Sequence, residues 1–191
     1  MSRLLTLSIL LALPSLISAD EENMALIEGA FYIDVYEYPN QRGLLPKVDV
    51  TWRQAESLCA VQGKRLCTEQ EWQKACTGSQ NFKYSYGDQL ESGRCNTPIE
   101  VDGAWQRGPG LAPSGGYERC TNDYGVHDMI GNAWEWTASW YSQPDLWRVV
   151  RGGSYFQSVN FSRSDARYGY HLGPEYRLDL VGFRCCRSPA Q

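Results

Sequence analysis

Two short helices are predicted by the spacing of apolar residues and by the residue that precedes each one. Apolar side chains at positions 52, 55 and 59 share one face of a helix. Thr51 precedes Gln54 by three residues and Thr68 precedes Glu71 by three, which is the signature of a capping box at a helix start. The expected ends of the two helices are Gly63 and Gly78.

Segments rich in aromatic and β-branched residues predict short strands around these helices. They are residues 31–36, 134–137, 148–156 and 181–186. From Asn81 to Asp123 no helical or strand period persists, and glycine and proline are frequent. This stretch is therefore predicted to be a long irregular loop, which is uncommon unless the loop is functional or covalently clamped.

The first nineteen residues have the pattern of a secretory signal peptide. An apolar run over residues 4–13 follows Arg3, and a small-residue exit ends at Ala19, where we expect cleavage. Residues 20–191 would then be a single domain, secreted or periplasmic. Retention of the segment as an anchor is the alternative. The run is too short to span a bilayer, however, and no later stretch reaches roughly 20 apolar residues, so no membrane association is expected after cleavage.

Composition narrows the class of protein. Of the 191 residues, 42% are apolar and 13% aromatic, which is enough to bury a core and excludes a disordered, collagen-like or coiled-coil chain. The formal net charge is -4, and the chain has no basic tract. Nucleic acid is therefore not an expected partner, because phosphate binding relies on clustered Lys and Arg.

The chain has seven cysteines, which an oxidising compartment allows to form disulfide bonds. An odd number leaves at least one outside intramolecular pairs. Cys95 and Cys120 bracket the second half of the irregular region, and a bond between them would clamp it. Cys185 and Cys186 are adjacent in a predicted strand, so their side chains leave opposite faces and need different partners. A zinc site is disfavoured because the chain has no CxxC pair and only two histidines.

The densest group of polar ligands lies in residues 128–136. Asp128 and Glu135 fall within eight residues of each other, with a glycine and an asparagine between them. Side-chain and main-chain oxygens of such a tight turn can bind a hard cation such as calcium. On the residues alone, a solvated turn between aromatic strand positions is the alternative.

Four segments carry a resemblance to a known family. They are residues 63–72, 124–136, 151–155 and 182–185, which read GKRLCTEQEW, YGVHDMIGNAWEW, RGGSY and GFRC. In this order they resemble the formylglycine-generating enzyme family, the sulfatase-modifying-factor domain. The resemblance implies an α+β, C-type-lectin-like fold with short helices, short antiparallel strands and much irregular loop.

The same resemblance implies two calcium sites. The first would take the side chains of Asp128 and Glu135 and the main-chain carbonyls of Gly131 and Ala133. The second would lie in the long loop, where the matching positions are Asn96, Thr97 and, less closely, Asp102. In this family calcium is structural rather than catalytic.

The chain departs from the family at the active site. Copper-dependent members hold Cu(I) with two cysteines, and the matching positions here are Gln157 and Ser162. Cu(I) is a soft ion that selects thiolate or thioether ligands, so copper is not an expected cofactor. Ser154 and Trp134 match residues that border the family's pocket.

The resemblance also implies disulfide pairs. Cys185 should pair with Cys59, because both match a family disulfide. Cys76 matches a position whose usual partner is missing, since Arg167 or a neighbour stands there, and we expect it to pair with Cys186.

Two functions follow as hypotheses. The first is a secreted, calcium-stabilised domain that has lost copper oxidase chemistry and binds a protein, peptide or glycan. Candidate surface residues are Tyr168, Tyr170, Tyr176, Arg163, Arg167 and Arg177. The alternative is a formylglycine-generating oxidoreductase that acts on a substrate cysteine with a spare thiol such as Cys67 or Cys186, or a relative with other redox chemistry.

One modification signal stands apart from these hypotheses. Asn160-Phe161-Ser162 is an N-glycosylation sequon, which matters in a eukaryotic secretory pathway.

Overall fold

The computed structural model describes residues 23–156 and 158–189, which contain two four-stranded sheets, a two-stranded hairpin, two α-helices, a 3₁₀ turn and much irregular chain. The predicted signal peptide and Gln157 lie outside these described residues. In chain order the elements are β1 (Met24–Ile27), β2 (Phe31–Asp34), α1 (Trp52–Ala60), β3 (Arg65–Leu66), α2 (Glu69–Thr77), β4 (Ile99–Val101), β5 (Ala104–Gln106), β6 (Trp134–Ser142), β7 (Trp147–Arg151), β8 (Arg167–Tyr168), β9 (Val181–Phe183) and β10 (Cys185–Arg187).

Both helices begin at the predicted capping boxes. The Thr51 hydroxyl accepts from the Gln54 N–H at 3.1 Å, and the Gln54 side chain accepts from the Thr51 N–H at 3.0 Å. Thr68 and Glu71 make the same reciprocal pair at 3.2 and 2.8 Å. These bonds satisfy N–H groups that a helix start leaves without partners. Gly78 is the C-cap of α2 as predicted, while α1 ends at Ala60 with Val61 as its C-cap, two residues before Gly63.

The first sheet has the strand order β1-β2-β10-β3 and is antiparallel throughout. The second sheet has the order β8-β7-β6-β9, in which β9 runs parallel to β6 and the other pairs are antiparallel. Since β9 and β10 are separated by one residue, Arg184, the chain passes from the second sheet to the first at that position. The two sheets are therefore held at a fixed distance by a single residue of backbone.

The region predicted to be irregular, residues 81–123, is largely so. Its regular structure among the described residues is the β4–β5 hairpin, whose side chains are mostly exposed, and two isolated bridges, from Tyr84 to Gly87 and from Thr121 to His127. A disulfide joins Cys95 to Cys120, so the second half of the loop is clamped as expected.

Three disulfides use six of the seven cysteines, and two of these bonds match the expected pairs. Cys59 is bonded to Cys185, and Cys95 to Cys120. The expected bond between Cys76 and Cys186 is wrong, because Cys186 is bonded to Cys67. Pairing of β10 with β3 places Cys186 opposite Arg65 and so beside Cys67, which follows β3.

Cys76 is the free cysteine, and its neighbour explains why. It lies near the end of α2, buried, with its sulfur 3.3 Å from the hydroxyl oxygen of Ser164. Ser164, rather than Arg167, therefore occupies the place of the missing partner. Burial raises the pKa of the Cys76 thiol to about 12.

Cys185 and Cys186 point to opposite faces of β10, as predicted for adjacent strand residues. Cys185 packs in the core between α1 and the second sheet, with Trp136 and Phe183. Cys186 packs in the other core, with Ile33 and Trp72. The two adjacent disulfides therefore fasten two different cores to one strand.

None of the helices in the described part of the chain has the length and apolar character needed to cross a membrane.

The disulfide arrangement predicts how the thiols will react. At pH 8 the native protein should incorporate no iodoacetamide, because Cys76 is buried and its raised pKa leaves almost no thiolate. After unfolding in guanidinium without reductant, one thiol should react. Peptide mass mapping should place the label on Cys76; a labelled native protein, or a peptide that links Cys76 to Cys186, would contradict the structure.

Candidate functional site

The segment 128–136 forms a buried turn with an unusual backbone. Asp128, Gly131 and Asn132 have φ values of 55°, 82° and 54°, in the left-handed region. At Gly131 a Cβ atom would lie 2.3 Å from the carbonyl oxygen of Asn96, so a larger residue does not fit. The turn and the long loop thus approach each other more closely than side chains would allow.

Asn132 ties this turn to its surroundings. Its side-chain N–H₂ group donates to both carboxylate oxygens of Glu37, at 3.1 and 3.0 Å, and its carbonyl oxygen accepts from the side-chain amide of Asn96 at 2.8 Å. Its backbone N–H donates to the Asn96 carbonyl at 2.7 Å. Because these groups are buried, the bonds define a single position for the turn.

Glu135 is held by a buried ion pair. Arg184 donates through Nε to Oε2 and through Nη2 to Oε1, both at 2.8 Å, and the Trp72 indole N–H donates to Oε2 at 2.7 Å. The side chains of Arg184 and Glu135 are 0% and 1% exposed. Such a pair tolerates burial because its geometry is bidentate and additional hydrogen bonds use the remaining donors.

The remaining donors of Arg184 reach main-chain carbonyls. Nη1 donates to the carbonyls of Asp34 and Val35 at 3.1 and 3.2 Å, and Nη2 donates to the carbonyl of His127 at 2.9 Å. The guanidinium therefore bonds to β6, to β2 and its following residue, and to the turn that begins at Asp128.

Buried carboxyl groups outnumber buried cations around this turn. Glu37, Asp128 and Glu135 are all buried, and Arg184 is the guanidinium whose charge acts on them. Burial raises the pKa of Asp128 to about 6. Burial, reinforced by the charges of Asp128 and Glu135, also raises the pKa of Glu37 well above its ordinary value.

The four predicted ligands of the first calcium site lie together in this turn, and all are buried. Asp128 accepts the Gly115 N–H through Oδ2 at 2.6 Å, while its other oxygen accepts no hydrogen bond from a described residue. Within the described ranges no three His, Cys, Asp or Glu side chains are placed to hold a metal. The predicted site draws only two ligands from side chains, so its calcium stays a prediction.

The positions predicted for the second calcium site differ in their exposure to solvent. Asn96 and Thr97 are buried, and the Asn96 amide group donates to Asn132 and to the Gly110 carbonyl, both at 2.8 Å. Asp102 is exposed, in the turn between β4 and β5. The observed role of Asn96 is to bind the buried turn.

The described pocket residues do not line an open cleft. Trp134, Ser154 and Ser162 are 2%, 1% and 1% exposed. The ring of Phe161 packs edge-on against Trp134 at a centroid distance of 5.5 Å. The backbone at Gly153 approaches the Ser162 side chain closely. A Cβ atom at position 153 would lie 3.2 Å from the Ser162 hydroxyl oxygen. Gln157, the other predicted pocket residue, lies outside the described residues.

The predicted surface arginines each meet an acidic partner. Arg163 pairs with Asp165, Arg167 with Glu69, and Arg177 with Asp49. Tyr170 and Tyr176 are exposed, and Tyr168 is half-buried near Trp134.

A groove of about 590 Å³ lies beside the start of α1. Its charged lining residues are Lys47, Asp49, Arg53, Glu175 and Arg177. Two ion pairs belong to it, Arg53 with Glu175 and Arg177 with Asp49. Of the six surface residues predicted from the sequence, Arg177 is the one in this lining.

The sheets and the long clamped loop define a C-type-lectin-like α+β protein. PvdO from Pseudomonas aeruginosa has a solved structure with the same fold, at a TM-score of 0.65 and 21% identity, covering 83% of this chain and 80% of that one. Identity at this level shows the fold alone.

Residues 30–189 match the family described as the sulfatase-modifying factor enzyme 1-like domain, and the chain belongs to this family. It is 36% identical over 152 residues to a Bos taurus protein named inactive C-alpha-formylglycine-generating enzyme 2, covering 73% of this chain and 49% of that protein. It is 31% identical over 170 residues to the Bos taurus formylglycine-generating enzyme, with coverages of 73% and 43%. The chain thus spans about half the length, or less, of these curated relatives. The predicted resemblance and fold are confirmed.

Sequence reasoning missed two residues that organise the site, Glu37 and Arg184, and it included Asn132 in the polar turn without its bonds to Glu37 and Asn96. The sequence could have indicated a buried ion pair at Arg184. An arginine between Phe183 and Cys185 in an apolar segment needs a buried partner. Nothing in the sequence separates Glu37 from the exposed acidic residues, since its burial depends on the return of Asn132 from far along the chain.

Replacement of Arg184 tests this arrangement. Arg184→Met should lower the free energy of unfolding by about 3–5 kcal/mol, because Glu135 is left buried without its cation. Urea unfolding measures the change.

Matched variants make that result specific to the buried pair. Arg177→Met removes a cation from an exposed pair and should leave stability nearly unchanged. Adding Glu135→Leu to Arg184→Met should restore part of the loss, because the unpaired charge is removed. If Arg184→Met lowers the free energy of unfolding no more than Arg177→Met does, the buried pair is not important for stability.

Proposed function

We propose that this chain is an exported, calcium-stabilised member of the family that does not catalyse copper-dependent oxidation and acts by binding a protein, peptide or glycan. The state of its thiols is the observation that carries the proposal. Cys59, Cys67, Cys95, Cys120, Cys185 and Cys186 are consumed in disulfides, and Cys76 is buried with a pKa raised to about 12. No pair of thiols in the chain is left to bind Cu(I), which selects soft ligands.

The same bonds argue against the oxidase alternative. That hypothesis needed a spare thiol such as Cys67 or Cys186, and the two are bonded to each other. Ser162 stands at one position of the family's copper pair, and a hydroxyl is a poor ligand for a soft ion. Similarity to a relative named inactive agrees with this.

The groove beside α1 supports a binding role. Arg53, Glu175, Arg177 and Asp49 are all largely exposed, with side-chain exposed fractions between 51% and 70%. Ion pairs in solvent contribute little to stability, so a charged or polar ligand can replace them at small cost. The groove therefore offers paired donors and acceptors to a polar ligand.

The excess of buried carboxylates supports the calcium part of the proposal. Asp128 and Glu135 would hold the ion with the carbonyls of Gly131 and Ala133, and the ion would supply positive charge to these buried carboxylates. Glu135 would share its two oxygens between the ion, Arg184 and the Trp72 indole N–H. Its contribution would be to fasten the turn to the second sheet. Export is supported by the three disulfides and by the pattern of the first nineteen residues.

A copper assay tests the loss of oxidase activity. The exported protein should neither retain Cu(I) nor convert the cysteine of a sulfatase-derived peptide into an aldehyde, because it lacks two free thiols. Metal analysis and peptide mass provide the readouts. The Bos taurus formylglycine-generating enzyme serves as the positive control. Formation of aldehyde by the purified chain above the no-protein blank would refute the proposal.

Thermal melting tests the calcium site independently. With free calcium at about 100 times Kd, ligand linkage contributes about 2.7 kcal/mol, so a chelator should lower the melting midpoint by several degrees. Asp128→Ala should melt at one temperature with and without chelator. Asp145→Ala, at an exposed aspartate, should keep the wild-type response. A wild-type midpoint that does not respond to chelator would remove calcium from the proposed function.

A further inference from the structure

We infer that Asn160 is the attachment point of an N-linked glycan. Asn160-Phe161-Ser162 is the one stretch of the 191 residues that fits the acceptor pattern of asparagine, any residue but proline, and serine or threonine. The inference rests on the proposed export, since the transfer occurs in a eukaryotic secretory pathway.

The local structure presents Asn160 to solvent. Residues Val159–Phe161 form a single 3₁₀ turn that follows Ser158, whose hydroxyl accepts the Asn160 backbone N–H at 3.3 Å. Val159 is buried, and Phe161 packs against Trp134. With its two neighbours anchored inward, Asn160 is exposed, and its side-chain amide makes no hydrogen bond to any described residue. A glycan there displaces no side-chain hydrogen bond of Asn160 to the described residues.

The hydroxyl of Ser162 is a second, independent observation. Ser162 is 1% exposed, and its hydroxyl oxygen has no hydrogen-bond partner among the described residues. An unpaired buried hydroxyl is unfavourable, so alanine would serve the fold at least as well at this position. A sequon, in contrast, requires the hydroxyl. It is read on the nascent chain before this residue is buried, so burial in the folded state is no obstacle.

The modification itself is an ordinary group transfer. The Asn160 side-chain nitrogen forms a bond to the anomeric carbon of an oligosaccharide carried on a lipid pyrophosphate, which the secretory pathway supplies. The bond between that carbon and the pyrophosphate oxygen breaks, the lipid pyrophosphate leaves, and the amide nitrogen loses one proton.

The position of the glycan bears on function. Asn160 adjoins Phe161, which covers Trp134, and it is two residues before Ser162, at one place of the family's copper pair. A branched oligosaccharide at this point would shield the face on which active relatives present their metal. Ligand binding by this chain would then use another surface, such as the groove beside α1.

The test is expression of the full chain with its own N-terminus in mammalian secretory cells. The protein recovered from the medium should begin at Asp20 and should lose apparent mass on treatment with peptide-N-glycosidase. Mass mapping should place the resulting acidic residue at position 160. Asn160→Gln should abolish the mobility shift completely, whereas Asn81→Gln, at an exposed asparagine outside any sequon, should keep it.

Ser162→Ala separates the two uses of the hydroxyl. It should also abolish the shift, and protein made without glycosylation should melt no lower than the unglycosylated wild type, because no hydrogen bond is lost. A clear fall in its melting midpoint would show that the hydroxyl serves the fold, and would overturn this part of the inference.

The outcomes for export and for glycosylation are distinguishable. Protein that reaches the medium with Asp20 at its N-terminus but carries no glycan at Asn160 would overturn the inference and leave export intact. Protein that stays in the cytoplasm would overturn export, and with it the modification of the natural chain.

Discussion

One buried guanidinium holds the two sheets of this protein in register. Arg184 is the single residue between β9 and β10, so its backbone lies where the chain passes between sheets. Its side chain binds Glu135 of β6 and the carbonyls of Asp34, Val35 and His127. A guanidinium presents its donors in a fixed plane, and burial without partners would be very costly, so each of these groups has one allowed position. The indole N–H of Trp72, in α2, donates to the Glu135 carboxylate as well.

That constraint explains how the family fold persists where the residues at the family's copper-ligand positions differ. The ion pair, the capping boxes and the turn around Gly131 depend on residues away from the copper pair. Ser162, which stands at one position of that pair, makes no side-chain hydrogen bond to a described residue, so its hydroxyl is not a contact that the fold needs. The function of a domain resides in its site, and the scaffold can be retained for binding.

The disulfides show the limit of reasoning from matched positions. The Cys59–Cys185 pair was correctly inferred from the family, and the Cys95–Cys120 clamp from its place around the loop. The predicted partner of Cys186 is wrong, because the actual partner depends on which strand lies beside β10. Arg167 or a neighbour was expected beside Cys76, and the residue found there is Ser164.

The sequence by itself determined the features that rest on neighbours along the chain: two capped helices, the opposite directions of Cys185 and Cys186, the irregular loop and the family. Only the tertiary structure decided the burial of Glu37, the partner of Glu135, the closure of the pocket residues and the unpaired hydroxyl of Ser162. Local patterns are set by backbone geometry over a few residues. Burial and charge pairing depend on which distant segments meet, and a buried carboxylate has the same one-letter code as an exposed one.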